Sequence, residues 1–195
     1  SVPSVMMSAC LYLGAGLGIL GVKTLQKSSK EESLQKKDLP FVIGMVVLDI
    51  AAPICMMTGL KTASAANASL LGDFEIAATA LIALVFFKEK ISKRLWTAIV
   101  LVTIACMLLS IQDEGSFQFS SGSILVLLAS VCWGLENNGT RMLSNRDPLE
   151  IVIIKGLCSG TGSLIIALTV GEKLPDFTSI VLVLLLGFVS YGLSL

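Results

Sequence analysis

Seven long apolar segments run through this 195-residue chain, and they constrain its fold more than any other feature. A helix needs about 17–25 apolar residues to span the roughly 30 Å hydrocarbon core of a bilayer. Inside lipid the backbone must satisfy its own polar groups, which a helix does within a single segment. We therefore predict an all-α integral membrane protein with seven transmembrane helices, at Val5–Val22, Phe41–Leu60, Ala66–Phe87, Leu95–Ile111, Gly122–Met142, Leu149–Val170 and Phe177–Leu195.

Composition supports this class and argues against several functions. Apolar residues make up 54% of the chain and charged residues only 14%, whereas soluble domains carry about 25% charged residues. The formal net charge is zero, so no basic surface indicates nucleic acid as a partner. The chain has no histidine, the commonest metal ligand and general base. Five cysteines lie in apolar runs without a CxxC pair, so we predict no disulfide framework, no metal site and no cofactor.

Basic residues are distributed unequally between the connections of the predicted spans. Eleven of the fourteen lie in alternate connections, the first, third and fifth, or, for Arg141, at the span end beside the fifth. The opposite connections contain only Lys61 and Lys173, and Lys155 lies inside a span. Because cytoplasmic loops are enriched in Lys and Arg, we predict a multi-pass protein of the cell membrane with the first residue outside and the last in the cytoplasm.

A weak internal repeat relates the first and sixth spans. The stretch Leu11–Gly16 resembles Leu157–Gly162, and in both cases a polar connection ending in aspartate (Asp38 and Asp176) precedes the next span. A repeat unit of five helices inverts the second copy, which is the inverted-repeat architecture of secondary transporters. We predict a first repeat at 1–112, containing its helices 2–5, and a second at 120–195, containing its helices 1–3. The chain is then expected to be the second to eighth spans of a ten-helix (5+5) parent, and so a fragment.

Several sequence blocks resemble a known family. The blocks are Thr62–Leu71 with Glu75, Phe86–Ser92, Cys132–Arg141, Asp147–Leu149, Lys155 with Gly156, and Gly187–Leu193. Together they resemble the EamA-type repeat of the drug/metabolite transporter superfamily. The resemblance implies a ten-helix, two-repeat carrier of small metabolites or drug-like solutes, without identifying the solute.

Charged side chains inside membrane spans are costly and commonly mark a solute path or a partner. Asp49 lies near the middle of the second span, and Pro53 four residues later removes the helical partner of the Asp49 carbonyl. The sequence leaves two interpretations open: a kinked lining of a solute path, or a packing kink with Asp49 bonded to a neighbouring helix. Glu75, near the middle of the third span, matches the glutamate of the resembled family and is preferred over Asp73 as a cavity residue.

Glu136 and Lys155 lie at matching depths in the fifth and sixth spans. Each is eight residues from the short connection between these spans, about 12 Å at 1.5 Å per residue. We predict that they pair, either to hold two helices together or as a functional pair that opens for a proton or an anionic solute. Gly14 and Gly18, like Gly156 and Gly160, have the small-xxx-small spacing of close helix packing.

Together these observations predict a secondary carrier working by alternating access, with a solute site near the midplane between the two halves. The predicted solute or proton path is lined by Asp49, Asn67, Glu75, Glu136, Asn137 and Lys155. The expected partners are the lipid bilayer, a small-molecule solute and, as the candidate coupling ion, the proton. A membrane enzyme is disfavoured because the acids are scattered and histidine is absent. The alternative is a non-transporting membrane scaffold or receptor, for which five buried charges would have no use.

Overall fold

The structure is a computed structural model that describes residues 2–25, 32–63, 68, 71–110 and 121–193. Within these ranges the chain forms seven helices and no strand, apart from an isolated bridge between Glu32 and Arg146. The helices are α1 (Ser4–Leu25), α2 (Leu39–Gly59), α3 (Phe74–Phe87), α4 (Lys93–Ser110), α5 (Ser121–Arg141), α6 (Pro148–Thr169) and α7 (Phe177–Gly192). The predicted all-α, seven-helix fold is confirmed.

Three described helical segments are long and apolar enough to cross a membrane: Ser4–Leu25, Lys36–Gly59 and Pro148–Thr169. The second of them joins the 3-10 turn Lys36–Asp38 to α2. Two further apolar helices, Phe74–Phe87 and Phe177–Gly192, are shorter. Pro53 lies inside α2, as the sequence requires, and the helix continues beyond it to Gly59.

The contacts divide the chain into two compact units. Unit 1 comprises Ser1–Ile50 and Gly139–Leu195, and unit 2 comprises Ala51–Asn138. Unit 1 thus combines segments from both ends of the sequence, so the compact units do not coincide with the predicted repeats 1–112 and 120–195. The repeats are a statement about sequence and topology rather than compactness, and they stay a prediction.

In unit 1, α1 packs closely against α6 and α7 through glycines. A Cβ built on Gly14 would lie 2.1 Å from the carbonyl oxygen of Leu184, and one on Gly187 would lie 2.1 Å from that of Leu11. Along α6, a Cβ on Gly156 would lie 2.5 Å from the Cα of Gly16. No side chain fits between these backbones, so glycine is required for the helices to approach this closely.

The other two glycines of the predicted pattern also lie at helix contacts in unit 1. A Cβ on Gly18 would meet the ring of Phe188 in α7, and one on Gly160 would meet Leu13 in α1. All four predicted packing glycines therefore face a neighbouring helix. Gly21 and Gly44 differ from them, because a Cβ at either position would have no neighbour within 4 Å.

Acidic side chains secure the starts of the unit 1 helices. Asp147 is the N-cap of α6, accepting the backbone N–H of Leu149 at 2.9 Å, and Pro148 follows at the first helical position. Asp176 caps α7, and the N–H and hydroxyl groups of Ser179 lower the pKa of its carboxyl group.

The start of α1 is held from another part of the chain. Glu172, in the connection between α6 and α7, accepts the backbone N–H groups of Val5 and Met6 at 3.2 and 2.7 Å. These contacts satisfy donors in the first turn of α1, which lack partners within the helix.

Helices α6 and α7 each contain a π-helical turn. In α6 it covers Lys155–Ser159, and in α7 it covers Phe188–Gly192 at the helix end. Such turns are rare and frequently lie at functional sites.

Unit 2 has its own small apolar core. Ala68, Leu71 and Val126 are buried there, and Met56 is among the partly buried residues packed against them. Unit 2 also contains a close glycine contact, since a Cβ on Gly134 would lie 2.9 Å from the backbone nitrogen of Thr79.

Candidate functional site

A cavity of about 440 Å³ lies within unit 1. Its walls come from α1, the end of α5, the short connection between α5 and α6, α6, and the end of α7. Both π-helical turns contribute to it, through Lys155, Gly156 and Tyr191. The lining residues are Tyr12, Ala15, Thr140, Arg141, Ser144, Arg146, Pro148, Ile151, Val152, Lys155, Gly156 and Tyr191.

Lys155 and Asp49 form an ion pair beside this cavity. The Lys155 Nζ lies 3.4 Å from Oδ2 of Asp49, and the Tyr12 hydroxyl donates to Oδ1 of Asp49 at 3.1 Å. Asp49 is fully buried, whereas the Lys155 side chain is 26% exposed and lines the cavity. Three helices, α1, α2 and α6, therefore meet at one buried carboxylate.

Aromatic and hydroxyl groups complete the cavity lining. The rings of Tyr12 and Tyr191 lie 5.8 Å apart between centroids, inclined at 45°. Thr140 and Ser144 add hydroxyl groups near the connection between α5 and α6. The sequence analysis missed both tyrosines and both arginines of this site. Indirect sequence signals existed for three of them: Tyr12 lies in the repeated stretch Leu11–Gly16, and Arg141 and Tyr191 lie in the family-like blocks Cys132–Arg141 and Gly187–Leu193.

The arginine at the cavity border connects it to the segment before α2. The Arg146 Nε lies 2.9 Å from Oδ2 of Asp38, and the Arg146 guanidinium also binds Glu32. The backbone N–H of Asp147 donates to the carbonyl of Glu32 at 3.0 Å. Two acids of the described segment before α2, Glu32 and Asp38, are therefore both bound by Arg146.

A second ionic cluster fixes α6 to the end of α1. Lys23 Nζ lies 2.9 Å from Oδ2 of Asp147 and 2.9 Å from Oε1 of Glu150. Glu150 also accepts the hydroxyl of Ser33 and the backbone N–H of Leu34. The cluster positions the helix that carries Lys155. Its sequence signal was the Asp-Pro pair at 147–148, a helix-start signal.

Unit 2 contains a separate group of predicted site residues. The Asn137 side-chain amide donates to Oε1 of Glu75 at 2.8 Å, and that of Asn138 donates to the carbonyl of Thr79 at 3.0 Å. Glu75 also borders a second cavity, of about 460 Å³, with Asp73, Trp133, Met56, Leu60, Ala68 and Gly72. Of the predicted path residues, this unit thus joins Glu75 to Asn137.

The two acids of the third span lie at a break in its helical structure. Asp73 is a turn residue between the helical residues 71–72 and α3, and Glu75 lies in the first turn of α3. Helix N-termini favour acidic side chains because the first N–H groups lack helical partners. Both acids border the second cavity, and the preference for Glu75 over Asp73 as the solute-cavity residue stays a prediction.

The remaining predicted residues have varied outcomes. Glu136 is 2% exposed in unit 2, and its pairing with Lys155 stays a prediction. Asn67 lies outside the described residues. Among the residues that the structure describes, no group of three or more acidic or cysteine side chains converges as a metal site would require.

Apolar helices joined by close glycine contacts, with an ion pair and a cavity among them, define a multi-pass helical membrane protein. The EamA-like transporter family model matches residues 1–111. The chain therefore belongs to the EamA-like transporter family, and the predicted family is confirmed. It is an integral membrane protein.

A curated protein and a solved structure are similar to this chain. A protein of Methanothermobacter thermautotrophicus, named an uncharacterized transporter, is 25% identical over 148 residues, covering 72% of this chain and 42% of the relative. A solved structure, titled only as the crystal structure of a protein, is 16% identical with a TM-score of 0.73. It matches 96% of this chain and 66% of its own, and shows the fold alone. The chain thus spans less than two thirds of either protein.

Proposed function

We propose that the full-length protein is a secondary carrier that moves a small solute across the cell membrane by alternating access. The observation that carries this proposal is the unit 1 cavity of about 440 Å³, with a charged side chain among its apolar helices. Its volume falls within the range of about 300–1,000 Å³ typical of small-molecule sites. The family membership supports transport as the activity.

The composition of the cavity wall fits a site between two repeats. Tyr12 and Ala15 come from the predicted first repeat, and the other lining residues come from the predicted second repeat. Secondary transporters place their solute sites at such repeat interfaces. Lys155 lies eight residues beyond Asp147, about 12 Å along α6, and so toward the middle of the predicted span.

The distribution of basic residues predicts the side of the membrane that this cavity faces. Arg141 is the last residue of α5 and Arg146 lies in the following connection, which we assign to the cytoplasm, and both line the cavity. In this proposal the conformation observed here faces the cytoplasm, and alternating access requires a second conformation in which that end of the cavity is closed.

Proton coupling is the second part of the proposal. Asp49 is a fully buried carboxylate whose counter-ion, Lys155, borders the cavity. Any change in the position of Lys155 alters the stability of the charged carboxylate, because a buried charge requires a partner. Asp49 is therefore the proposed proton site, with Glu75 and Glu136 as further carboxylates of the path.

Reconstitution of the purified full-length protein in proteoliposomes tests the proposal. A counterflow screen with amino acids, organic anions, amines and nucleosides should identify a transported solute. Asp49→Asn and Glu75→Gln should reduce its flux by roughly tenfold or more, equivalent to at least 1.4 kcal/mol, with near-normal expression and membrane insertion. A pH gradient should also change the flux in the parent.

Glu114→Gln provides a matched control, because Glu114 lies in the connection between the fourth and fifth predicted spans. Its flux should equal that of the parent. Absence of flux for every class of solute would favour the scaffold or receptor alternative. Parent-level flux in both Asp49→Asn and Glu75→Gln would show that these carboxylates have no part in transport.

A further inference from the structure

We infer that the unit 1 cavity binds a small organic anion, with Lys155 as the counter-ion of its acidic group. The inference rests on the proposed carrier function for its biological meaning and adds the charge class of the solute. Anion binding is measured separately from transport, so the anion inference can be wrong even if the protein transports another solute.

The residues that line the cavity and carry a charge are all basic. Among the described residues that line the cavity, three are basic, Lys155, Arg141 and Arg146, and none is acidic. The acids that pair with Lys155 and Arg146 lie off the cavity wall. Asp49 is fully buried behind Lys155, and Asp38 and Glu32 bind Arg146 from the segment before α2. A solute in the cavity therefore meets basic groups directly and carboxylates only behind them.

Lys155 can bind the solute and Asp49 together. An ammonium group has three donors, and the Lys155 side chain is 26% exposed although its Nζ lies 3.4 Å from Oδ2 of Asp49. That distance is longer than the roughly 2.7–2.9 Å of an optimal charge-assisted hydrogen bond. Asp49 keeps the hydrogen bond from Tyr12 when the ammonium group moves toward the cavity. An anionic group thus competes with Asp49 for Lys155 without leaving the carboxylate bare.

The other residues that line the cavity indicate which uncharged part of a solute would fit there. The tyrosine pair, with rings 5.8 Å apart, forms one side, and Ala15, Pro148, Ile151, Val152 and Gly156 add apolar surface. Thr140 and Ser144 offer hydroxyl groups near the basic residues. The complementary solute has one acidic group, a carboxylate or a phosphate, attached to a short apolar or aromatic body.

Ligand-induced thermal stabilisation of the full-length protein in detergent tests this inference. The probes are 3-phenylpropanoate, its neutral amide and the cationic 3-phenylpropylamine, which share one body, followed by hexanoate and phenyl phosphate to separate carboxylate from phosphate recognition. We expect an anion to bind about 10- to 100-fold more tightly than the matched amide, the range of a hydrogen bond to a charged group. The amine should bind more weakly still.

A double variant and a single variant at the ion pair should have opposite effects on anion binding. Lys155→Gln together with Asp49→Asn should abolish the preference for anions, and the paired substitution avoids leaving an uncompensated buried carboxylate. Asp49→Asn alone should retain or strengthen anion binding, because it removes the competitor for Lys155. Lys173→Gln, in the exposed connection between α6 and α7, is the matched control and should bind anions as the parent does.

The outcomes separate this inference from the carrier proposal. Tighter binding of the amine or the amide would overturn the anion inference, as would an anion preference that survives the loss of Lys155 or the absence of binding by any of the anions. In each case, flux of another solute in proteoliposomes would leave the carrier function standing. Anion preference without flux of any solute would instead support an anion-binding receptor and overturn the carrier.

Discussion

The ion pair between Lys155 and Asp49 adds a partner that the sequence did not indicate. Matching depth along two helices indicated Glu136 as the partner of Lys155, but a third helix supplies a carboxylate as well. Asp49 accepts the Tyr12 hydroxyl and lies 3.4 Å from Lys155, at 0% exposure. Its bond to a neighbouring helix fits the packing interpretation of Asp49, and its place behind the cavity wall fits the functional one. One residue can serve both purposes.

In a double-mutant cycle on Lys155 and Asp49, the two single substitutions should lower the free energy of unfolding by different amounts. Lys155→Met leaves a fully buried carboxylate without its cation, so we expect a loss of about 3 kcal/mol, the lower end for buried pairs because the lysine is partly exposed. Asp49→Asn should cost only about 1 kcal/mol, since Lys155 borders a cavity. The double variant should recover much of the larger loss. The measurement is the free energy of unfolding in detergent or bilayer.

Additive costs in this cycle would show that Asp49 and Lys155 do not interact. The same cycle with Glu136→Gln in place of Asp49→Asn tests the sequence prediction that Glu136 also shares Lys155. Coupling in both cycles would indicate a three-membered network, and coupling in only the first would confine the interaction to unit 1.

Among the helices, α1 has the most demanding packing. Its glycines lie against the backbones of both α6 and α7, and the contacts are reciprocal, since Gly14 faces Leu184 while Gly187 faces Leu11. Because the backbones are in contact, the position of α1 is set by steric fit rather than by flexible side chains. The same helix carries Tyr12, whose hydroxyl donates to Asp49 of α2 at 3.1 Å. Helix packing thus determines the geometry of the site.

Two glycine substitutions within α1 should differ in sign. Gly14→Ala places a methyl group 2.1 Å from a carbonyl oxygen, so α1 and α7 must separate, with an expected loss of about 1–3 kcal/mol or more. Gly21→Ala meets nothing within 4 Å and should be neutral, or stabilise by about 0.5–1 kcal/mol through helix propensity. Thermal unfolding in detergent measures both.

This pair of variants provides its own control, because helix propensity changes equally at both positions. If Gly14→Ala is as stable as Gly21→Ala, the contact between α1 and α7 is looser than described. Anion binding should also weaken in Gly14→Ala, since displacement of α1 moves Tyr12 away from Asp49.

For the protein as a whole, the basic residues predict the orientation in the membrane. Eleven of them lie in or directly beside the connections assigned to the cytoplasm, against two in the opposite connections. The cavity, which is bordered by Arg141 and Arg146, lies at the end of unit 1 that this orientation places inside.

Single-cysteine labelling tests the orientation directly. In a full-length background without the native cysteines, Lys173→Cys should react with a membrane-impermeant maleimide added outside intact cells. Lys90→Cys should react only after permeabilisation, because it lies in the connection after α3, which we place inside. The reverse pattern would invert the orientation, and labelling of both positions from outside would exclude the proposed topology.

Much of the helical architecture was readable in the sequence. Apolar length predicted seven spans, and the seven helices lie where those spans were expected, because a segment of such composition in lipid can satisfy its backbone only by forming a helix. The glycine spacing also indicated close packing at Gly14 and Gly160, since small residues at that interval leave a smooth helix face. The acidic N-caps at Asp147 and Asp176 followed equally local rules.

Which charged side chains form ion pairs could be learned only from the tertiary structure. The sequence placed Asp49 and Lys155 within spans but gave no reason to join them, because they are more than a hundred residues apart and on helices that are not consecutive. The same applies to Arg146 with Asp38, to Lys23 with Asp147, and to Tyr12 with Tyr191. Apolarity and glycine spacing act along a single helix and can be read from the sequence. Which side chains share a cavity depends on how the faces of several helices pack together, and only the folded structure decides that.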